Sequence, residues 1–237
     1  MQIQPPEIFE TCAEHKVFES ILSLNNQNIL ELGCGDATLT RLIASSGENR
    51  NVTASEVDRI QHAKNLSITD LPNVKFIDGG SENIPADNHS FDTVFMFKSL
   101  HHVPLELLDQ AMTEVNRVLK PGGKVYISEP IFDGDFNDVL RIFHDEEYVR
   151  HAAFNAIKKA VENNLFKLEQ ELFFYTQFEF ENFDEFEYRV IGATHSEHQL
   201  SDEILQKVRW KFDQFYQHNN GIFMIPNRVD LLTKVGE

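Results

Sequence analysis

The stretch NILELGCGDATLT, residues 28–40, determines how the rest of the chain is interpreted. An apolar run ends at an acid, two glycines flank a cysteine, and a helical pattern begins directly afterwards. The run NILEL has the length and composition of a buried parallel strand that stops at a glycine. Asp36 is suited to cap a helix over residues 36–47. The stretch therefore predicts a strand, a bare turn and a helix in direct succession.

The first half of the chain repeats this alternation of strands and helices. Further strands are predicted at residues 51–56, 73–78, 91–97 and 124–129, and helices at residues 57–66 and 104–119. Strands that alternate with helices form a doubly wound, mostly parallel sheet with right-handed crossovers. The fold class predicted is therefore α/β.

The second half has a different pattern. A long, mostly helical stretch follows the fifth strand at residues 133–164, and we interpret it as an insertion or lid within a single domain of residues 1–237. The remaining predicted elements are a strand at 165–180, helices at 184–192 and 201–217, and a closing strand at 221–232.

Composition narrows the classes of protein. A length of 237 residues fits one α/β domain, and 41% apolar residues can form its core. No run approaches the roughly 20 apolar residues of a membrane span, and the start MQIQPPEIFETCAEHK has no signal pattern. Two cysteines cannot form a disulfide framework, so we expect a cytoplasmic protein. A net charge of −17 repels phosphate groups, so neither nucleic acid nor a membrane is expected as a partner.

The ligand is predicted from the first turn and the second strand. Ligands of open α/β sheets bind at the carboxyl ends of the strands, where the strand order reverses. Gly33 and Gly35 leave the turn without side chains, so a ligand can lie against the backbone. Thr38 stands where a dinucleotide motif has its third glycine, and Glu31 suits an ammonium group better than a pyrophosphate. Glu56 ends the second strand, where a carboxylate can bind ribose hydroxyls. S-adenosylmethionine, an amino acid joined to a nucleoside, fits all of these features.

On these motifs the chain resembles the class I S-adenosylmethionine-dependent methyltransferases of the small-molecule type, over roughly residues 29–130. LELGCGDATLT is similar to the first motif of the family, with Ala37 where a third glycine often stands. VTASEVD is similar to the ribose-binding segment and FIDGGSENIPADNHSFDTV to the adenine-side loop. SLHHVP and LKPGGKVYISEP follow in the order of the family. The resemblance implies a Rossmann-like sheet of seven strands, with an antiparallel last strand within residues 221–232, and S-adenosylmethionine as cofactor.

The resemblance also implies a set of cofactor contacts along the first four strands. They are Glu31, Gly33, Cys34, Gly35, Glu56, Val57, Gly80, Ser81, Glu82 and Phe97. Gly80 departs from the family pattern, which commonly has an acid there. Ser81 or Glu82 is then expected to meet the adenine amino group, or backbone groups do so alone. Cys34 is interpreted as a small buried residue and not as a nucleophile.

Candidate catalytic groups follow the fourth and fifth strands. His101 and His102 stand beside the expected methyl position, where the pair either packs or acts as a base. Glu129 either faces the substrate or caps a turn, and Lys98 either orients an anionic substrate or projects into solvent. The chemistry needs little more, because a sulfonium methyl group is already electrophilic and the protein mainly aligns the acceptor.

A metal site is not predicted from the sequence. His195 and His198, with His144 and the acids at residues 145–147, have spacings that a metal can use. A solvated helix face accounts for the same residues.

The function predicted is S-adenosylmethionine-dependent methyl transfer to a small molecule or to a protein side chain. Two alternatives share part of the pattern. A nicotinamide-dependent oxidoreductase has the same sheet and ribose carboxylate, and a non-catalytic adenosyl-ligand-binding protein keeps the ELGCGD motif without turnover.

Overall fold

The computed structural model describes residues 1–5, 7–8, 10–192 and 200–236, which include one seven-stranded sheet. The strands are β1 (Asn28–Leu32), β2 (Asn51–Glu56), β3 (Val74–Asp78), β4 (Phe91–Phe97), β5 (Leu119–Pro130), β6 (Phe166–Glu179) and β7 (Ile222–Lys234). Their order is β3-β2-β1-β4-β5-β7-β6, and β7 runs antiparallel to both of its neighbours. The predicted doubly wound sheet with a reversed last strand is confirmed.

The helices lie on both faces of the sheet and at one end of it. They are α1 (Glu14–Ile21), α2 (Thr38–Ser45), α3 (Arg59–Asn65), α4 (Leu108–Val118), α5 (Asp135–Leu140), α6 (Glu147–Glu162), α7 (Phe183–Phe186) and α8 (Asp202–Asn219). The helix predicted from residue 36 begins at Thr38, because Ala37 takes a left-handed conformation with φ +64°. Within the described ranges, no helix combines the length and apolarity that crossing a membrane requires.

The strand order indicates the edge of the sheet at which a ligand is expected to bind. β1 pairs with β2 on one side and with β4 on the other, so the winding of the sheet reverses between β1 and β4. The five parallel strands, β3, β2, β1, β4 and β5, end at the same edge, which is where open α/β sheets bind their ligands. The strands are buried on both faces, which explains why their sequences are nearly continuous apolar runs.

Two apolar clusters cover the two faces of the sheet. One contains the inner faces of α4 and α6, including Ala153 and Ile157, packed on β1, β4 and β5. The other joins α1 and α2 to the opposite face and includes the packed aromatic rings of Phe18, Phe95, Phe97 and Tyr126. The sheet is thus a fixed platform for the loops at its edge.

A third cluster, rich in phenylalanine, joins α5, α7 and α8 to the ends of β6 and β7. The segment 133–164 is therefore divided between two environments. Its first helix, α5, contributes Val139 to this third cluster, whereas α6 buries its apolar face against α4 and the sheet. The helix predicted at 184–192 forms as the short α7 followed by a π-helical turn at Glu187–Ile191.

Candidate functional site

The loop after β1 folds back over the end of β2. The main-chain N–H groups of Gly33 and Cys34 both donate to the carbonyl oxygen of Ser55, at 2.9 Å each. The N–H of Gly35 donates to Glu56 Oε2 at 2.7 Å. These three bonds fix the loop, so the opening sequence motif is a rigid main-chain turn between the first two strands.

The two glycines of this loop have different surroundings. A Cβ atom at Gly33 would lie 2.6 Å from Cβ of Ser99, the residue that follows Lys98 after β4. A side chain at position 33 would therefore collide with another loop of the protein, and contact between a ligand and the main chain of Gly33 stays a prediction. A Cβ atom at Gly35 would meet nothing within 4 Å. The space that the sequence predicted thus lies over Gly35.

Glu56 is held beside that space. Its Oε2 accepts the Gly35 N–H, and its Oε1 accepts the N–H of Asp58 at 2.9 Å. Each carboxylate oxygen keeps a further lone pair for a second hydrogen bond. The next residue, Val57, is 61% exposed, an unusual position for an apolar side chain at the end of a buried strand. The two fixed acceptor oxygens of Glu56 suit the hydroxyl groups of a ribose, and the exposed side chain of Val57 suits the face of a planar base.

Glu31 is a buried acid at the same edge, close to Asp36 and Glu56. Its side chain is buried, and Thr40 Oγ1 donates to Oε2 at 2.5 Å. Burial raises the pKa of Glu31 to about 8, and the charges of Asp36 and Glu56 act in the same direction while the Thr40 bond opposes them. A ligand with a positive charge would relieve this repulsion. The ammonium and sulfonium groups of S-adenosylmethionine meet that requirement.

Cys34 lies between these acids and is not suited to nucleophilic attack. Its thiol is buried, and Asn65 Nδ2 lies 3.5 Å from Sγ while donating to the Gly35 carbonyl oxygen at 2.7 Å. Burial, with the charges of Glu31 and Glu56, raises the pKa of the thiol. The thiolate is therefore disfavoured, as expected of a packing residue.

The loop after β3 offers one hydroxyl group to a ligand. Ser81 Oγ is buried and has no hydrogen-bond partner within the part of the chain that the structure describes. A Cβ atom at Gly80 would collide with the carboxylate of Glu82, so an acid at position 80 would compete with Glu82 for the same volume. A buried hydroxyl without a partner is costly unless a ligand binds it. Ser81 and Glu82 are the two residues whose side chains are expected to contact adenine, and Ser81 is the one with a buried hydroxyl group that lacks a partner among the described residues.

Phe97 requires a correction. Its ring stacks on Phe95 with centroids 5.1 Å apart and also contacts Phe18, at 5.7 Å, in the cluster under α1. The side chain is therefore part of the core, and only the main chain of Phe97 can face a ligand at the strand end.

Beyond β4 the structure brings two of the catalytic candidates together. Glu129 Oε2 pairs with His101 Nδ1, and Glu129 Oε1 accepts the N–H of Leu100 at 2.9 Å. The other ring nitrogen of His101 faces Glu146 Oε1 at 3.5 Å. Burial opposes a charge on His101, but the two carboxylates outweigh it and raise its pKa to about 9. An imidazole with a carboxylate at each nitrogen is not a proton acceptor at neutral pH, so this geometry favours positioning over base catalysis.

Sequence reasoning missed a second buried carboxyl group at this edge. Glu14 of α1 accepts from Tyr126 Oη at 2.6 Å and from Ser128 Oγ at 3.0 Å, both on β5. Burial raises the pKa of Glu14 and lowers that of the nearby Lys98, and each charge partly offsets the shift of the other. An acid in the first turn of a helix is usually a simple complement to the helix dipole, so nothing local marked Glu14.

Glu146 was also missed as an individual site residue. It connects His101 to Arg150, which donates to Glu146 Oε2 at 2.5 Å, and to His144, whose Nε2 lies 2.9 Å from Oε1. His102 is exposed, and its ring lies 4.1 Å from that of His101. His195 and His198 lie outside the described residues.

The comparisons with known proteins agree with this geometry. A family model described as a methyltransferase domain matches residues 29–123. The chain is 29% identical over 180 residues to demethylmenaquinone methyltransferase of Staphylococcus epidermidis, covering 65% of this chain and 73% of that protein. It is 30% identical over 132 residues to tRNA U34 carboxymethyltransferase of Pseudoalteromonas atlantica, covering 53% of this chain and 38% of that protein.

The fold also matches solved structures across the whole chain. The YcgJ protein of Bacillus subtilis superposes with a TM-score of 0.64 at 16% identity, covering 94% of this chain and 97% of that one. The alignments span between 38% and 58% of the length of several curated relatives. The motifs and the sheet order agree with the family model, which identifies residues 29–123 as a methyltransferase domain.

Proposed function

We propose that this chain transfers the methyl group of S-adenosylmethionine to a small-molecule acceptor. The observation that carries the proposal is the Glu56 carboxylate, which two main-chain N–H groups hold beside the open space over Gly35. This arrangement supplies two fixed acceptors for a ribose and room for the chain that joins it to the methionine part.

Each part of the cofactor has a matching group. Glu56 would bind the ribose hydroxyls, Val57 would cover one face of the adenine, and Ser81 would donate to the adenine ring or accept from its amino group. Glu31 would favour the methionine end, because a positively charged ligand beside it stabilises the ionised form of this buried carboxyl group. When bound, the cofactor supplies an electrophilic methyl group, and the protein orients the acceptor in line with it.

The acceptor would bind at the ends of β4 and β5. Lys98 is the cation of this edge, with Glu14 and Glu129 as its electrostatic neighbours. A Lys98 ammonium suits an acceptor with an anionic oxygen, such as an ionised phenol or enol, since that acceptor is already a nucleophile. The name of the demethylmenaquinone relative is in keeping with a small organic acceptor. The net charge of −17 disfavours a nucleic acid despite the tRNA-modifying relative.

Substitution of Glu56 tests the cofactor assignment. Glu56→Ala removes hydrogen bonds to a charged group that are each worth about 1.5–3 kcal/mol, so affinity for S-adenosylmethionine should fall at least about tenfold. Isothermal titration with S-adenosylmethionine and with S-adenosylhomocysteine measures the change. Glu48→Ala, at an exposed acid outside the site, is the matched control and should bind as the parent does.

Turnover separates an enzyme from a binding protein. S-adenosylhomocysteine release is measured against a panel of phenols, quinols and enols, with peptides and tRNA as further arms. Binding without release from any member would favour a non-catalytic adenosyl-ligand-binding protein. Binding of a nicotinamide dinucleotide with no binding of S-adenosylhomocysteine would overturn the proposal.

We infer a cytoplasmic protein, since Cys12 and Cys34 are both free thiols and a reducing compartment keeps them so.

A further inference from the structure

We propose that His101, His102, His144 and Glu146 form a binding site for a divalent transition metal of the zinc type. The site lies between the turn after β4 and the start of α6. The proposal does not depend on methyl transfer, because metal binding is measured without cofactor or acceptor.

The distances between His101, His102 and Glu146 fit a shared ion, and His144 contacts the same carboxylate oxygen of Glu146. One ligand atom from each of His101, His102 and Glu146 lies within 4.8 Å of the others. His101 Nε2 lies 3.5 Å from Glu146 Oε1, and His144 Nε2 lies 2.9 Å from the same oxygen. Zinc ligands about 2.0–2.2 Å from a tetrahedral ion are about 3.4 Å apart. The cluster therefore needs only small side-chain adjustments to enclose an ion.

The surrounding groups already hold two of the ligands in the required orientation. Glu129 pairs with His101 Nδ1 and so directs Nε2 toward Glu146. A carboxylate on the far nitrogen of a ligating histidine is the usual second partner in metal sites. Arg150 binds Oε2 of Glu146, which leaves Oε1 facing the histidines.

Arg150 bonds to Oε2 of Glu146, and its other bonds hold it on that side of the carboxylate. It donates to the carbonyl oxygen of Ile131 at 3.2 Å and to Asn137 Oδ1 at 3.1 Å. The carboxylates of Glu129 and Glu146 face the same cluster, and besides Arg150 the positive charges of Lys98 and Arg228 act on Glu129.

The donor set selects the class of metal. Three imidazoles and one carboxylate favour zinc and related transition ions over magnesium or calcium, which prefer oxygen ligands. Four protein ligands make a closed site, and closed sites are structural. The ion would tie α6 to the turn after β4, next to the proposed acceptor site.

Cobalt and zinc binding to the metal-free protein test the proposal. We expect one equivalent of Co²⁺ to give the intense visible absorption of a tetrahedral site and one equivalent of Zn²⁺ to displace it. Zn²⁺ should also raise the melting temperature. His102→Ala and His144→Ala should each weaken Zn²⁺ binding at least tenfold in titration calorimetry.

Two controls make the result decisive. His151→Ala removes a nearby histidine of α6 that bonds only the carbonyl of its own helix turn in the structure, and it should bind Zn²⁺ as the parent does. Unfolding of each variant without metal shows that it is folded. No stoichiometric binding to the parent, or equal binding by the parent and both variants, would overturn the proposal, as would loss of binding in His151→Ala.

Discussion

The two halves of the site are built in different ways. On the cofactor side, main-chain N–H groups of Gly35 and Asp58 fix Glu56, and the loop bonds directly to the next strand. On the proposed acceptor side, buried side chains from distant segments hold one another in place. Glu129 of β5 pairs with His101, and His101 also faces Glu146. The proposed cofactor side is thus a main-chain turn, and the proposed acceptor side is a cluster of charged side chains.

This difference determines which substitutions each half of the site tolerates. A main-chain turn depends on the conformations of a few consecutive residues, so substitution of a single glycine can disrupt it. A buried ionic cluster depends on every member, because removing one leaves a partner charge unpaired in a poorly solvated place. We therefore expect the acceptor side to respond to substitution through stability and the cofactor side to respond through binding.

Glu129→Ala should give the largest loss of stability. It leaves His101 without its closest carboxylate and the Leu100 N–H without an acceptor, so the free energy of unfolding should fall by about 3–5 kcal/mol. Denaturant unfolding measures this change. Glu147→Ala, at an exposed neighbour of Glu146, is the control and should change the free energy of unfolding by less than about 0.5 kcal/mol. A Glu129→Ala protein as stable as the parent that has lost only turnover would make Glu129 a substrate contact.

Substitutions of the two glycines in the loop after β1 should distinguish an effect on stability from an effect on cofactor binding. Gly33→Ala places a Cβ atom against Ser99 and in a left-handed conformation, φ +73°, which together should cost about 2–4 kcal/mol of stability. Gly35→Ala has the strain of φ +53° alone, about 1–2 kcal/mol, but its methyl group enters the proposed cofactor space. Unfolding and S-adenosylhomocysteine titration of both variants measure the contrast. Equal cofactor affinity of Gly35→Ala and the parent would place the cofactor elsewhere.

The same difference explains what could be predicted from the sequence. β1, β2 and β4 agree with their predicted bounds, and Glu31, Gly35 and Glu56 form one edge, because short apolar runs and turn residues encode these features locally. Glu14 and Glu146 could not be identified, since Tyr126, which bonds Glu14, and His101, which faces Glu146, are each more than 40 residues away along the chain. The close approach of Ser99 to Gly33 could not be predicted for the same reason, because Ser99 belongs to another loop. Contacts between distant segments leave no local pattern.

Glu31→Gln should change how stability depends on pH. The folded-state pKa of about 8 lies above the ordinary value of 4.5, so the folded protein binds the proton more tightly. The resulting stability is complete below pH 4.5 and is lost as pH rises to about 8, at about 1.4 kcal/mol per pH unit. A glutamine has no such proton to lose, so the decline between pH 5 and 8 should be smaller in Glu31→Gln.

Denaturant unfolding at several pH values measures the two slopes, with Glu48→Gln as the exposed control. The same variant should bind S-adenosylmethionine at least about tenfold more weakly at pH 8.5, where the parent carboxylate is charged. Parallel pH profiles for parent and Glu31→Gln would show that burial of Glu31 does not set the charge of this edge.

Tyr148→Ala should have the smallest effect on the fold and tests whether residues 133–164 select the acceptor. Tyr148 is 72% exposed in the first turn of α6, whereas Phe143 packs against the phenylalanine-rich third cluster. Truncating Tyr148 should therefore change the free energy of unfolding by less than about 0.5 kcal/mol, so an altered KM reports on the acceptor alone. We expect a higher acceptor KM with unchanged cofactor affinity, measured by initial rates at saturating S-adenosylmethionine. Tyr188→Ala, 82% exposed on the π-helical turn, is the matched control. If both variants keep the KM of the parent, this part of α6 is scaffold and the acceptor contacts come from Lys98 and α1.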